Sequence, residues 1–312
     1  MVSRWSGRTP LESEPGDRQL SPDTAIIIGP GPLGLSLAAG LARAGLTRVT
    51  VVGRSPARPD FLRGHGSVDF ATPDAIHALW EEPSSGPFAL VFAVGDDQLA
   101  PAIEEWADRL ALHPVETPPL ALHTSGFHPA GVLEPIGRVS GASIGGWHPL
   151  MAVAEPGPDV FEGVTVGVEG EPPAVALAED LSRALGAVPV RIPSGGKARY
   201  HAAAVFASNY LVASLNAALT ELEGATGGAV DESALLPLAR AAIDNVTAHG
   251  IAAGVTGPLV RGDVQTVAGH LAALDPDRAA LYRALGRELL DAARQRNSPE
   301  VYEALRAMLR EV

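Results

Sequence analysis

The sequence predicts a doubly wound α/β sheet followed by an all-α domain, and three observations carry that expectation. Apolar runs suited to strands alternate with helical segments over residues 25–192. Residues 24–45 set a strand, a glycine turn and a helix in unbroken order. From Gly195 onward the chain is helical, in alanine- and leucine-rich segments at roughly 197–223, 232–249, 263–274, 277–295 and 299–311.

The first strand, residues 25–28, is a short apolar run suited to a strand covered on both faces, and Gly29, Gly31 and Gly34 follow at G-x-G-x-x-G spacing. In such a turn the first glycine permits the tight bend, the second lets backbone approach a pyrophosphate, and the third lets the helix pack on its strand. Pro32 suits the first helical position and Leu33 follows, so the helix N-terminus still offers donors and its positive dipole end to phosphates. The helix stops at Gly45, and residues 49–52 complete a βαβ unit of the Rossmann kind. Gly53, Arg54 and Ser55 come next, with no acid to hold a ribose 2′-hydroxyl. A cation and a hydroxyl stand where a 2′-phosphate would lie, which favours NADP over NAD. The competing reading makes Arg54 a solvated loop residue.

The chain has 312 residues, 46% hydrophobic and 19% charged, enough for about two domains. We place a polar, disordered leader at residues 1–23, the dinucleotide-binding domain at 24–194 and a helical substrate and dimerisation domain at 195–312. A net charge of −13 argues against a nucleic-acid or anionic-membrane surface. With no cysteine, disulfides and thiolate catalysis are excluded. The leader has no apolar core of a signal peptide, and the most apolar segment, residues 202–219, is interrupted by Ser208, Asn209, Tyr210, Ser214 and Asn216. It is expected to be a buried helix, and the protein cytoplasmic.

Further strands are expected at 67–70, 89–94, 120–123, 142–150, 164–168 and 188–192, with helices at 73–80, 98–112 and 174–185. Ligands of such sheets lie outside the carboxyl ends of the strands. Three polar tips should therefore converge: the glycine turn; Val94, Gly95, Asp96 and Asp97; and His123, Thr124, Ser125 and Gly126.

Lys197 opens the long helix, and at about 100° per residue His201 and Ser208 fall within roughly 40° of it. Tyr200 flanks that stripe, and Asn209 lies about 120° from Lys197, nearer to His201. A lysine held at the cofactor cleft can donate a proton to a carbonyl or imine as hydride arrives; the bland alternative is a solvated first-turn residue. His123 and His148 each end an expected strand and could line the rim, or be core histidines bonded to backbone. The nine histidines show no H-x-H or H-E-x-x-H spacing, so no metal site is expected. Residues 141–145 match the G-x-S-x-G of a hydrolase elbow, but Ser143 is followed by a continuing strand where the elbow needs a helix. Arg261-Gly-Asp263 reads as a loop into a helix capped by Asp263.

With these residues laid out, the chain resembles Rossmann-like proteins whose C-terminal half is a helical domain of unknown function, relatives of deazaflavin-dependent NADP oxidoreductases, pyrroline-5-carboxylate reductase and ketopantoate reductase. The resemblance rests on the glycine turn, Val94 to Asp97, His123 to Gly126, His148-Pro-Leu150, residues 197–210 and residues 256–263, and it covers roughly residues 24 to 300. It implies an NADP-binding domain, a second domain like the C-terminal part of 6-phosphogluconate dehydrogenase, and a homodimer made by those helices. In related β-hydroxyacid dehydrogenases a lysine and an asparagine of this helix act together, and Lys197 and Asn209 are the nearest matches. The interval here is longer than one helical turn, and the preceding glycine pattern is reduced to Gly195-Gly196.

The expected function is an NADP-dependent oxidoreductase transferring hydride to a small oxo-acid, carbonyl or imine. Lys197 would be the proton donor or carbonyl polariser, with His201 or Asn209 orienting the substrate. A non-catalytic NADP-binding sensor is the alternative, and a serine hydrolase a remote third.

Overall fold

The computed structural model describes residues 22–54, 58–75 and 88–310. The expected leader thus lies outside the described residues up to residue 21, as do Ser55 and most of the helix expected at 73–80. Of that helix one 3-10 turn, Pro73–Ala75, is described. Asp23, assigned to the leader, is already tied to the sheet, its carbonyl accepting from Thr47 N–H at 2.9 Å.

The chain divides into two compact units, the first ending at Ala207 and the second spanning Ser208–Val312. In the first, eight strands form one sheet: β1 (Thr24–Ile28), β2 (Arg48–Val52), β3 (Val68–Ala71), β4 (Ala89–Phe92), β5 (Leu120–His123), β6 (Ser143–Pro149), β7 (Thr165–Gly170) and β8 (Val188–Arg191). Their order is β3-β2-β1-β4-β5-β6-β7-β8, so the winding reverses between β1 and β4. All neighbours run parallel except β6 and β7, which pair antiparallel with Gly146 opposite Glu169 and His148 opposite Gly167.

The central strands β1 and β4 are nearly unbroken apolar runs because both their faces are covered. Ile27 and Val91 point into one core with Leu37, Leu41, Trp147, Phe161 and Leu181. Their neighbours Ile26, Ile28, Leu90 and Phe92 point into the other with Ile103, Trp106, Leu133 and Ile136, as the two-residue period of a strand requires. Trp147 donates from Nε1 to Ser182 Oγ at 2.9 Å, and the fully buried Trp106 ring stands edge-on to Phe92. The helices are α1 (Pro32–Arg43), α2 (Asp96–Leu112), α3 (Glu134–Ser140), α4 (Pro172–Ala184) and α5 (Lys197–Ala207). Sequence reading gave no element to α3, a seven-residue helix with Pro135 in its first turn that ends at Gly141 in the left-handed conformation, φ 71°.

The helix expected over 197–223 is two helices. Ser208 interrupts it with φ −117° and ψ −72°, and α6 (Asn209–Thr226) begins after it. The second unit continues with α7 (Leu236–His249), the single turns α8 (Ile251–Gly254) and α9 (Pro258–Arg261), then α10 (Val264–Ala273), α11 (Pro276–Ala292) and α12 (Pro299–Met308). Its core is formed by Leu259, Val267, Leu290, Tyr302, Leu305 and Leu309. Asp263 precedes α10, yet its carboxylate caps nothing there; it pairs instead with Arg261 at 2.9 Å. The segment expected as a buried helix is exposed: residues 202–219 include no buried residue, and neither α6 nor α7 contains one. The stretch Lys197–Thr226 is long and apolar enough to cross a membrane by length and composition alone, and 6% of its most apolar window is buried.

Candidate functional site

At the reversal of the sheet a cleft of about 780 Å³ opens, lined by Gly29, Pro30, Gly31, Arg54, Val94 and Gly95 among others. Its turn is shaped by what glycine lacks. Gly29 adopts φ +114°, and a Cβ there would lie 2.4 Å from the Ala93 carbonyl oxygen, while a Cβ on Gly34 would lie 2.0 Å from the Gly29 oxygen. Gly31 faces open space. Pro32 and Leu33 form the first turn of α1, which has neither a side-chain cap nor an acid, so its N–H groups and dipole are left to an anion. The neighbouring α2 differs: Asp96 and Asp97 occupy its first turn. Phosphates therefore fit α1 and are disfavoured at α2, which makes the cleft fit for a dinucleotide with its pyrophosphate at Gly31. Arg54 is exposed at the end of β2. At the far wall, Arg109 bonds the Pro73 carbonyl and both Asp74 and Glu105.

Beyond β4 the expected site residues separate into two groups. Thr124 and Ser125 are buried and structural: Thr124 Oγ1 donates to the Phe92 carbonyl, and Ser125 Oγ accepts from the N–H groups of Phe127 and His128. Neither lines the cleft. Four others, His123, His148, Lys197 and His201, are brought together. A Cβ on Gly126 would lie 2.8 Å from His148 Nε2 and 2.6 Å from His201 Cδ2, so this turn packs against both rings. The two imidazoles meet edge to face at 5.9 Å.

Lys197 is 3% exposed. Its Nζ lies over Gly146, where a Cβ would come within 2.7 Å, and stands 3.6 Å from Glu169 Oε1. That oxygen also accepts the Ala130 N–H at 2.9 Å. Burial lowers the Lys197 pKa, opposed by the charges of Glu169 and Asp96. His123 is fully buried, not at the rim, and its Nδ1 accepts the Ser125 N–H at 3.2 Å. Burial, with Lys197 next in importance, pushes His123 down to about 3, and the same two causes in the same order bring His148 to about 4. Both rings are therefore neutral at pH 7.

Asn209 belongs to the second unit, where its Oδ1 accepts from Ser208 Oγ. Ser208, expected on the Lys197 stripe, forms the break after α5. Ser143 opens strand β6, behind a helix and a left-handed glycine, so no hydrolase elbow exists. Among the described residues no cluster of His, Asp or Glu could hold a metal ion.

Sequence reading missed Glu169 altogether and saw Tyr200 only as a flank. Both owe their place to the antiparallel β6–β7 register, which puts Glu169 across from the glycine beneath Lys197 and Gly167 across from His148. Tyr200 Oη donates to the His148 carbonyl at 3.0 Å and accepts the Gly167 N–H at 3.1 Å.

Fold and cleft together define a Rossmann-type α/β unit with a helical unit after it. A family model described as a domain of unknown function (DUF2520) matches residues 164–289. Among solved structures, protein TM1727 from Thermotoga maritima is similar at 20% identity over 87% of this chain and 98% of that one, with a TM-score of 0.66. BF3122 from Bacteroides fragilis, named a candidate NADP oxidoreductase, is similar at 22% identity over 86% and 98%, with a TM-score of 0.63. A candidate oxidoreductase from Mycobacterium avium 104 is similar at 17% over 91% and 98%, with a TM-score of 0.53. No curated protein matches the chain.

Proposed function

We propose that this protein is an NADP(H)-dependent oxidoreductase acting on a small oxo-acid, carbonyl or imine. The observation that carries the reading is Lys197: an ammonium 3% exposed, beside Glu169, among three histidines, over Gly146, which the strand register sets level with the carboxyl end of β1 where the glycine turn begins. The name given to the B. fragilis relative is in keeping with it. The bound dinucleotide would supply the hydride. Lys197 Nζ hydrogen-bonds the substrate oxygen or nitrogen, drawing charge from the carbon, and gives that atom a proton as its π bond breaks. Burial favours this transfer, because desolvation lowers the ammonium pKa. Glu169 holds the ammonium in place, and neutral His123 and His148 add no positive charge beside it. Arg54 supports NADP over NAD, since no acid follows β2.

We further propose a homodimer through the helical unit, because Val212, Leu238 and Ile251 are 65%, 71% and 65% exposed in the isolated chain.

The test is NADPH consumption with a panel of 2-oxo acids and cyclic imines, beside NADPH titration by fluorescence. Lys197→Ala should retain cofactor binding and lose turnover by at least about 100-fold. Loss of binding with it would make Lys197 a cofactor contact, and binding without turnover of any panel member by the wild type would favour the sensor.

A further inference from the structure

Tyr200 has a place in this site that proton donation by Lys197 does not use. Its hydroxyl is set between β6 and β7, donating to the His148 carbonyl and accepting from Gly167 N–H, and it lies 3.4 Å from His148 Nδ1. The tyrosine and histidine rings stand nearly perpendicular at 5.5 Å. Room for the phenol comes from Gly167, where a Cβ would lie 2.7 Å from Tyr200 Cζ.

A phenol offers one proton and two lone pairs. Here the proton goes to the His148 carbonyl and one lone pair to Gly167 N–H, both at shorter distance than Nδ1. Only a lone pair is left for Nδ1, so the imidazole must bring the hydrogen. In a neutral ring one nitrogen donates and the other accepts, and the partner of one fixes the state of the other. Nδ1–H therefore leaves Nε2 bare. Among the described residues no group bonds Nε2, which rests against Gly126 beside the His201 ring. His123 takes the opposite form, since its Nδ1 accepts from Ser125 N–H and its hydrogen must sit on Nε2.

We infer that Tyr200 is a positioning residue that holds His148 in the Nδ1–H tautomer, so that Nε2 faces the Gly126 turn as an acceptor and a group arriving there must bring its own proton. Such a group is a hydroxyl, or the N–H of an amine or iminium. This consequence for the ligand rests on the proposed substrate site; the tautomer itself does not.

The test reads the tautomer directly, by two-bond proton–nitrogen correlation in the full-length, uniformly ¹⁵N-labelled protein at pH 7 without ligand. The His148 ring is assigned by its loss in His148→Gln. The wild type should show Nδ1 at the protonated position and Nε2 at the unprotonated one. Tyr200→Phe should make Nε2–H the major form. A merely structural tyrosine would lower the urea midpoint and leave the tautomer unchanged, which overturns the inference, as does Nε2–H in the wild type. Nε2–H in the wild type overturns the inference whatever the variant does, so poor folding of the variant does not rescue the idea. Absence of turnover with NADPH would count against the oxidoreductase and leave this result standing.

Discussion

Acid should weaken this protein through two particular histidines, and the loss can be worked out. His123 titrates at about 3 in the folded chain against an ordinary 6.5. Between those values the unfolded chain binds a proton that the native chain does not, so stability falls as pH falls below 6.5 and the loss is complete near 3. Each pH unit inside that window is about 1.4 kcal/mol, so going from pH 7 to pH 5 costs about 2 kcal/mol through His123. His148, held at about 4, is still neutral at pH 5 in the native state, and contributes up to about 2 kcal/mol by the same reasoning. The loss falls on a total of about 5–15 kcal/mol for an ordinary domain. Urea unfolding of wild type, His123→Gln and His148→Gln at both pH values measures it. Each variant should lose about 2 kcal/mol less than the wild type on acidification, whatever its stability at pH 7. If His123→Gln shows the pH dependence of the wild type, the ring is protonated in the folded protein and the account of a neutral site is wrong.

The glycine turn separates packing from binding. Gly34→Ala should lower stability by about 1–3 kcal/mol, because its methyl meets the Gly29 oxygen, whereas Gly31→Val should leave the melting temperature within a few degrees and abolish NADPH binding. Calorimetry and fluorescence titration read the two effects, and equal behaviour of the variants would refute the assignment. Arg54→Asp should weaken NADPH more than NADH, by about tenfold or more for a lost charge-assisted bond; equal affinities in the wild type, unchanged by the substitution, would sink the NADP preference. In detergent-free sedimentation at micromolar concentration the wild type should run as a dimer, and Val212→Glu with Leu238→Glu should yield monomer. A monomeric wild type would leave the exposed α6 and α7 faces without the proposed partner.

What could be read from the sequence was what neighbours in the chain decide. The strand at Ile26–Ile28, the turn at Gly29 and the helix from Pro32 follow from local volume and backbone freedom, and the alternation of such units led to the sheet. His123 and His148 could be placed at strand ends, and Lys197 and His201 on one helix stripe. Glu169 escaped because its role depends on a pairing direction: had β7 run parallel to β6, a different residue would stand across from Gly146. Tyr200 escaped for the same reason, since its partners are backbone groups of two strands. The exposure of α6 was missed because an apolar helix has the same composition whether its own chain or another surface covers it. The break at Ser208 also left no strong mark, as a lone serine is tolerated within many helices.

The unequal starts of α1 and α2 have one more consequence. The two helix ends lie at consecutive places along the same cleft mouth, one open to anions and the other already occupied by Asp96 and Asp97. A long ligand with negative charge in its middle is thus held at one register along the cleft: at α1 its phosphates meet unspent N–H groups, and slid toward α2 they would meet two carboxylates. Position is selected by repulsion as much as by attraction. Because Asp96 also acts on Lys197 and His148, the acid that turns the phosphates away lies within electrostatic reach of the groups proposed for the chemistry.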